Sequence, residues 1–222
     1  MIKTKTKTVE LFERRNKVVA NGVSIFVKST VSSAKDGIIT DADGNELIDF
    51  SGGIGVLNAG HCPEPVVKAI QNQAEKLIHA CFHISTYEPY IELCEKLSQL
   101  FPHGEETKVM LTNTGAESVE NAIKIARQAT NRQGVLCYTD AFHGRSLMAM
   151  TLTSKIDYKL NCGPFAPEVY RLPYPNFYRY GGGLTEEAFV DKQLQRLKES
   201  AKNLVQPHNI AAIIIELVQG EG

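Results

Sequence analysis

Hydrophobic and polar positions alternate only briefly in the first part of the chain. In "GIITDADGNELIDF" two short alternating runs flank Asp43-Gly44, a dipeptide suited to tight hairpin turns, so Ile38 to Phe50 is expected to form a small antiparallel pair. The period then becomes helical. Val66, Ile70, Ala74 and Leu77 fall near one face of "PVVKAIQNQAEKLIHA", with Pro63 and Pro65 suited to its start, and "YEPYIELCEKLSQLF" repeats the amphipathic pattern. After Glu106 the rhythm is strand, helix, strand: "KVMLTN", then "ESVENAIKIAR", then "GVLCYTD". A short strand in "EVYRLP", a helix through "EEAFVDKQLQRLKESA" and an apolar strand in "IAAIIIELV" follow, with Gly181 to Gly183 as a loop. Strands alternating with helices predict an α/β fold on a mostly parallel sheet with right-handed crossovers.

Three junctions in this pattern carry chemistry. In "TNTGAESVENAIKIAR", Val119, Ala122, Ile123 and Ala126 make one apolar stripe against the sheet. The polar loop before them then lies where a strand's carboxyl end meets a helix N-terminus. Free N–H groups and the macrodipole favour an anion there, above all a phosphate, and Gly115 lets the backbone approach it. The same residues also suit a plain cap, with Thr114 accepting from the first turn and Glu117 favouring the dipole; taken alone, the segment is better explained that way.

The second junction, "YTDAFHGRS" (Tyr138 to Ser146), follows the next strand and emerges at the same edge, where open α/β sheets bind ligands. An aromatic ring, a histidine, a glycine and an arginine suit stacking on a flat ring and bidentate hold on a carboxylate. His143 alone reads as a structural histidine and Phe142 alone as a core aromatic, but two loops at one edge favour a site. The third, "IIIELVQGEG", leads an apolar strand into Glu216, Gln219 and Glu221. A carboxylate ending a buried strand is costly unless paired, so both glutamates are expected to have partners; the plain alternative is a solvated turn, which suits Glu221 better than Glu216.

Composition narrows the classes of function. With 222 residues, 43% of them hydrophobic and 22% charged, the chain can bury a sizeable core as one domain, or as one large domain plus an accessory piece. A formal net charge of -1 with mixed signs advertises neither a nucleic-acid groove nor an anionic membrane surface, and points to a small neutral or zwitterionic partner. The five cysteines are scattered without a CxxC pair, so they read as reduced thiols, mostly core filler, with no metal site. No run approaches membrane-spanning length and no apolar segment follows the basic start, so a cytoplasmic location is expected.

In their order and spacing, "DFSGGIGVLNAGHCP", "TNTGAESVENAIKIAR", "FHGRS" and "IIIELVQGEG" resemble the class III, or ω-amino acid, aminotransferases, which use pyridoxal 5'-phosphate. "CFHISTYEPYIELCEKL" and "GGIGVLN" are similar to bacterial members acting on 4-aminobutyrate. The resemblance covers the chain from about Asn21 onward. It implies an incomplete fold type I large domain, with residues 1–58 as an N-terminal segment of the small domain and 59–222 as the first half of the cofactor-binding domain.

The resemblance also implies roles. Gly115 and Ala116 would give backbone N–H groups to the cofactor phosphate, Ala116 standing where many relatives have Ser or Thr. Phe142 would stack on the pyridine ring, His143 would line the same pocket and Glu216 would sit close to the cofactor. On the substrate side, Arg145 would grip the distal carboxylate, Ile54 would form an apolar wall, and Glu221 would pair with a distant arginine and move aside for an α-carboxylate. Leu217 departs from the family's usual proline. The implied reaction moves the amino group of an ω-amino acid, 4-aminobutyrate first, to 2-oxoglutarate, giving succinate semialdehyde and glutamate. The implied assembly is a homo-oligomer, dimer or higher.

In the family the lysine that bonds the cofactor, the acid facing the pyridine nitrogen and the arginine that partners Glu221 lie beyond the QGEG motif. Lys155, after Ser154, reads instead as a surface lysine at a helix end. The sequence is therefore expected to be the front half of the enzyme, inactive alone. The alternative is a catalytically silent fragment with a binding or assembly role; a nucleotide-binding oxidoreductase ranks third, because no GxGxxG opens a helix after a strand.

Overall fold

Short polar side chains set the turns of the first of two units, Met1–Ile91, in a computed structural model that describes residues 6–102, 104 and 106–221. Helix α1 (Lys7–Val18) starts at Thr6, whose side chain accepts from Val9 N, while Asp43 Oδ1 accepts from the N–H groups of Lys7 at 2.7 Å and Thr8 at 3.3 Å. The N-terminal pattern gave no sign of this helix. Strand β1 (Ser33–Lys35) pairs antiparallel with β2 (Ile38–Thr40), and β2 with β3 (Glu46–Ile48), with Ile39 opposite Leu47. The expected hairpin is therefore present, with β1 as an added edge. Its turn is held by the Asp41 carboxylate, which accepts from the N–H groups of Asp43 and Asn45, and by Gly44 at φ +88°.

Two segments lead out of this meander. Gly52–Gly55 (α2) is a single irregular turn with Ile54 at φ 63°. Asp49 accepts there from Ser51 and Gly52 and from the His61 ring; the Ser51 hydrogen bond first, then His61, holds its carboxyl at about 2. Helix α3 (Glu64–Ala74) has Pro65 in its first turn, where a missing N–H is harmless. Helix α4 (Glu88–Leu100) runs across the division between the units. The boundary expected after Asn58 falls inside the first unit.

The second unit, Glu92–Gly222, is a layered α/β arrangement. Its elements are α5 (Gly115–Thr130), β4 (Gly134–Tyr138), α6 (Leu147–Leu152), β5 (Val169–Leu172), α7 (Phe177–Tyr180), α8 (Glu186–Leu204) and β6 (Ile210–Ile213). The sheet order is β5-β4-β6 and both pairings are parallel. Successive side chains of the central strand point to opposite faces. Val135 and Cys137 join Ile123 of α5 and Met148 and Leu152 of α6, whereas Leu136 joins Leu172 and Val205, with Leu197 of α8 against them. Burial on both faces explains why β4 reads as a continuous apolar run.

Three expectations are corrected. Lys108–Asn113 is not a strand: no described strand pairs with it, and an apolar stretch becomes a strand only where a neighbour takes its backbone groups. β6 ends at Ile213, with Ile214 N still bonded to Leu136 O, because the chain then turns so that Glu216 can meet Phe142. Of the five cysteines, all free, only Cys137 is buried core; Cys62 and Cys162 are exposed.

Candidate active site

The connection from α5 to β4 is short, so the helix runs back along the strand and its N-terminus stands by the strand's carboxyl end. Thr139, just past β4, ties that edge together. Its N–H bonds to Leu172 O, its hydroxyl accepts from Tyr174 N at 3.1 Å, and its carbonyl accepts from Gln219 Nε2 at 3.0 Å. The exits of β4, β5 and β6 are thus fixed relative to one another.

At the start of α5, Thr114 Oγ1 accepts from Glu117 N at 3.0 Å and the Glu117 carboxylate accepts from Asn113 N at 2.7 Å. This reciprocal cap stabilises the helix, so the plain reading of the segment is correct. It leaves the N–H groups of Gly115 and Ala116 without a hydrogen bond among the described residues, and a Cβ built on Gly115 would meet nothing within 4 Å. The cap and an anion seat therefore coexist on one helix end.

The loop after β4 packs onto that end. Gly144, at φ +124°, lies so close to α5 that an added Cβ would sit 2.8 Å from Ala116 Cβ and 3.0 Å from Ala149 Cβ. The Phe142 N–H donates to Glu216 Oε1 at 2.7 Å, and the other oxygen of Glu216 accepts from Gly220 N at 3.1 Å. Tyr174 donates its hydroxyl to Glu216 O at 3.1 Å. The Phe142 ring meets the Tyr158 ring edge to face, with centroids 5.0 Å apart and planes at 66°.

His143 is buried, 8% exposed. Its N–H donates to Thr153 Oγ1 at 2.9 Å, and its Nε2 has no partner among the described residues. Burial lowers the imidazole pKa, only partly offset by the Glu216 charge. An orphaned buried ring nitrogen is uncommon and suits a site that receives a polar group. Arg145 is exposed and makes no hydrogen bond or ion pair among the described residues.

Glu221 is fully engaged. Its carboxylate takes the Lys155 ammonium on one oxygen and the Tyr158 hydroxyl, at 2.8 Å, on the other. Those two donors, Lys155 first, hold the carboxyl below its usual range, and Glu221 in turn raises Lys155. Both glutamates therefore have the partners expected of them. Lys155 lies past the end of α6 and is half exposed, as read from its sequence context.

One edge of the second unit thus collects Gly115, Ala116, Phe142, His143, Glu216 and Glu221, with Arg145 on the same loop. Ile54 belongs to the first unit, where it is 85% exposed. Tyr158 and Tyr174 were not anticipated, since each is placed by a fold-level approach that no spacing encodes. The ledge is open. A more enclosed space of 270 Å³ lies on the α8 side, lined by Tyr138, Leu172, Phe177, Phe189 and Leu197 among others. No described helix is long and apolar enough to cross a membrane, and no metal-ligand cluster occurs among the described residues.

Relatives share this sequence and fold. A probable 4-aminobutyrate aminotransferase of Bacillus subtilis (strain 168) is 44% identical over 216 residues, 97% of this chain and 50% of that protein. A 5-aminovalerate aminotransferase of Pseudomonas putida is 43% identical over 219 residues, 98% of this chain and 50% of that protein. The crystal structure of an (S)-enantioselective omega-transaminase from Thermomicrobium roseum superposes with a TM-score of 0.86 at 30% identity, covering 97% of this chain and 50% of that one. The chain spans about half the length of the curated relatives it matches. Residues 18–222 match the family model for aminotransferase class-III, and with the three motif loops at one sheet edge the chain belongs to the class III aminotransferases.

Proposed function

We propose that this chain supplies the phosphate seat, ring-stacking face and carboxylate grip of a pyridoxal 5'-phosphate-dependent ω-aminotransferase. The reaction moves the amino group of 4-aminobutyrate, or a close homologue, to 2-oxoglutarate, giving succinate semialdehyde and glutamate. The observation that supports the reading is the seating of Gly144 on Ala116, which packs the loop carrying Phe142 against the N-terminus of α5. The residues present fit the cofactor: two unpaired N–H groups for a phosphate, an aromatic ring for a flat heterocycle, and the unpartnered Nε2 of His143.

Bound there, the cofactor supplies an electron sink for the carbon that loses its proton. Gly115 and Ala116 would hold its phosphate through their backbone N–H groups, and Phe142 would stack on its ring. The N–H of Phe142, bonded to Glu216, keeps that loop in register with the end of β6. Arg145 takes the distal carboxylate of the substrate, a task suited to a planar fork of donors. Assembly is as a homo-oligomer and the location is cytoplasmic.

Lys155 is a poor candidate for the amine that bonds the cofactor, because its ammonium is bonded to the Glu221 carboxylate and its side chain is half exposed past the end of α6. We assign that amine to a lysine outside these 222 residues, and infer that this chain alone is inactive. The test compares the 222-residue chain with the product of the complete reading frame. Each is incubated with pyridoxal phosphate, 4-aminobutyrate and 2-oxoglutarate, and glutamate is measured; modified lysines are mapped after borohydride reduction. Glutamate from the longer product alone supports the proposal. A stoichiometric adduct on one lysine of the short chain, with amino transfer, overturns it.

A further inference from the structure

Ser146 stands at the N-cap of α6, yet its side chain makes no capping bond. A serine oxygen in that position ordinarily accepts from the N–H two or three residues on, here Met148 or Ala149. Both N–H groups go instead to Oε1 of Glu120 on α5, at 2.8 and 3.2 Å, and the Ser146 hydroxyl donates to the same oxygen at 2.6 Å. The start of α6 could have been satisfied locally. A carboxylate 26 residues before Ser146 does it, and so ties the loop after β4 to another helix.

The tie falls directly after Arg145. The backbone before that residue is fixed as well: Thr153 Oγ1 accepts from His143 N at 2.9 Å and donates to Gly144 O at 3.0 Å, and Gly144 is packed on Ala116. Arg145 itself is exposed, with no hydrogen bond or ion pair among the described residues. A free side chain thus projects from a backbone held on both sides. Holding the backbone narrows the positions its head group samples, so less freedom is lost when a ligand is gripped. Ala116 and Glu120 lie one turn apart on α5, so the helix that offers the N–H groups of Gly115 and Ala116 also bears both supports of Arg145.

We infer that Glu120 and Ser146 are positioning residues for Arg145: they fasten its backbone to α5 and so hold its guanidinium in place for the distal carboxylate of the substrate. The inference rests on the proposed role of Arg145. Ser146 supplies the bond nearest Arg145 and Glu120 the acceptor. All three donors use one oxygen, so glutamine, whose carbonyl oxygen can take the same place, keeps the anchor. Aspartate, a methylene shorter, keeps the charge and loses the reach.

The test uses the product of the complete reading frame, loaded with its cofactor, carrying Ser146→Ala, Glu120→Asp, Glu120→Gln or Arg145→Ala. For each, kcat and KM for 4-aminobutyrate and the thermal midpoint are measured. Ser146→Ala, which leaves both backbone bonds in place, raises KM roughly two- to tenfold, the range set by the net worth of one hydrogen bond, with a smaller change in kcat. Glu120→Asp raises KM further, and Glu120→Gln stays close to the parent. If Glu120→Asp does not fold, Ser146→Ala decides alone. In the Arg145→Ala background Ser146→Ala has no further effect on kcat/KM, because no guanidinium is left to position. A loss that persists in that background is merely structural and overturns the inference, as does a Glu120→Gln variant that falls with Glu120→Asp. If Arg145→Ala lowers kcat/KM and Ser146→Ala does not, the anchor fails and the role of Arg145 stands. If Arg145→Ala leaves kcat/KM unchanged, the role of Arg145 fails and the anchor with it.

Discussion

Gly144 rests against Ala116 with no room for a side chain: a Cβ at that position would lie 2.8 Å from the Cβ of Ala116. This contact seats the loop after β4 on the N-terminus of α5. Gly144 also has φ +124°, a conformation that L side chains rarely adopt. Substitution by Ala therefore adds backbone strain to a steric overlap with two neighbours that cannot retreat, Ala116 and Ala149. Gly144→Ala is expected to destabilise the chain by roughly 1–3 kcal/mol, the usual range for overpacking, as measured by urea denaturation. An unchanged midpoint would mean that the loop stands off from the helix.

Burial of His143 makes stability depend on pH. The folded imidazole has its pKa below the ordinary 6.5, chiefly through burial, with Glu216 opposing and Arg171 adding to the shift. The unfolded chain then binds more protons than the folded one on the acid side. The contribution is fully present above 6.5 and is lost as pH falls through the folded pKa. Denaturation midpoints followed from about pH 7.5 to about pH 5 should fall more steeply for the parent chain than for His143→Asn. Parallel slopes would show that the ring is not held neutral.

A single carboxylate organises the turn from this loop into α6. Glu120 Oε1 accepts from Ser146 Oγ at 2.6 Å, Met148 N at 2.8 Å and Ala149 N at 3.2 Å. Helix α6 has no side-chain cap of its own, so Glu120 takes that part from the neighbouring helix α5. Glu120→Ala leaves two N–H groups without that acceptor, one of them on the fully buried Ala149. The expected loss is about 1–3 kcal/mol, against about 0.5–1.5 kcal/mol for Ser146→Ala, which removes one of the three bonds. Equal effects of the two substitutions would argue that the backbone bonds are not being made.

The pattern of residues was most legible where one periodicity ran unopposed. α5, with its apolar stripe and its Thr114–Glu117 cap, and β4, with a run buried on both faces, were written in local sequence. Lys108–Asn113 was apolar enough for a strand, but strand formation depends on a partner that local composition does not supply. α1 was missed although Thr6 caps it locally; the acceptor for its first two N–H groups, Asp43, lies 36 residues from Lys7. At the candidate site, the residues within motifs could be named from the sequence, and so could the need of Glu216 and Glu221 for partners. The identities of those partners could not. Phe142 N, Lys155 and Tyr158 meet the two glutamates only because the parallel sheet brings the exits of β4 and β6 to the same edge.

Arg145 is an exposed cation on the loop that also carries Phe142, with no hydrogen bond or ion pair among the described residues. A guanidinium in that position can take both oxygens of one carboxylate, whereas an ammonium offers only a point charge. In the proposed reaction, 4-aminobutyrate and 2-oxoglutarate each carry a carboxylate distal to the reacting carbon. One arginine can therefore serve both half-reactions. In the complete enzyme, Arg145→Ala is expected to lower kcat/KM for both substrates by roughly 10- to 150-fold, equivalent to about 1.5–3 kcal/mol for a hydrogen bond to a charged group. Arg145→Lys keeps the charge but not the fork, and should fall between the parent and Arg145→Ala. An amine substrate without a distal carboxylate, assayed in parallel, should be affected much less. Loss with one of the two carboxylate substrates only would assign the second carboxylate to another cation, and no loss with either would remove Arg145 from the site.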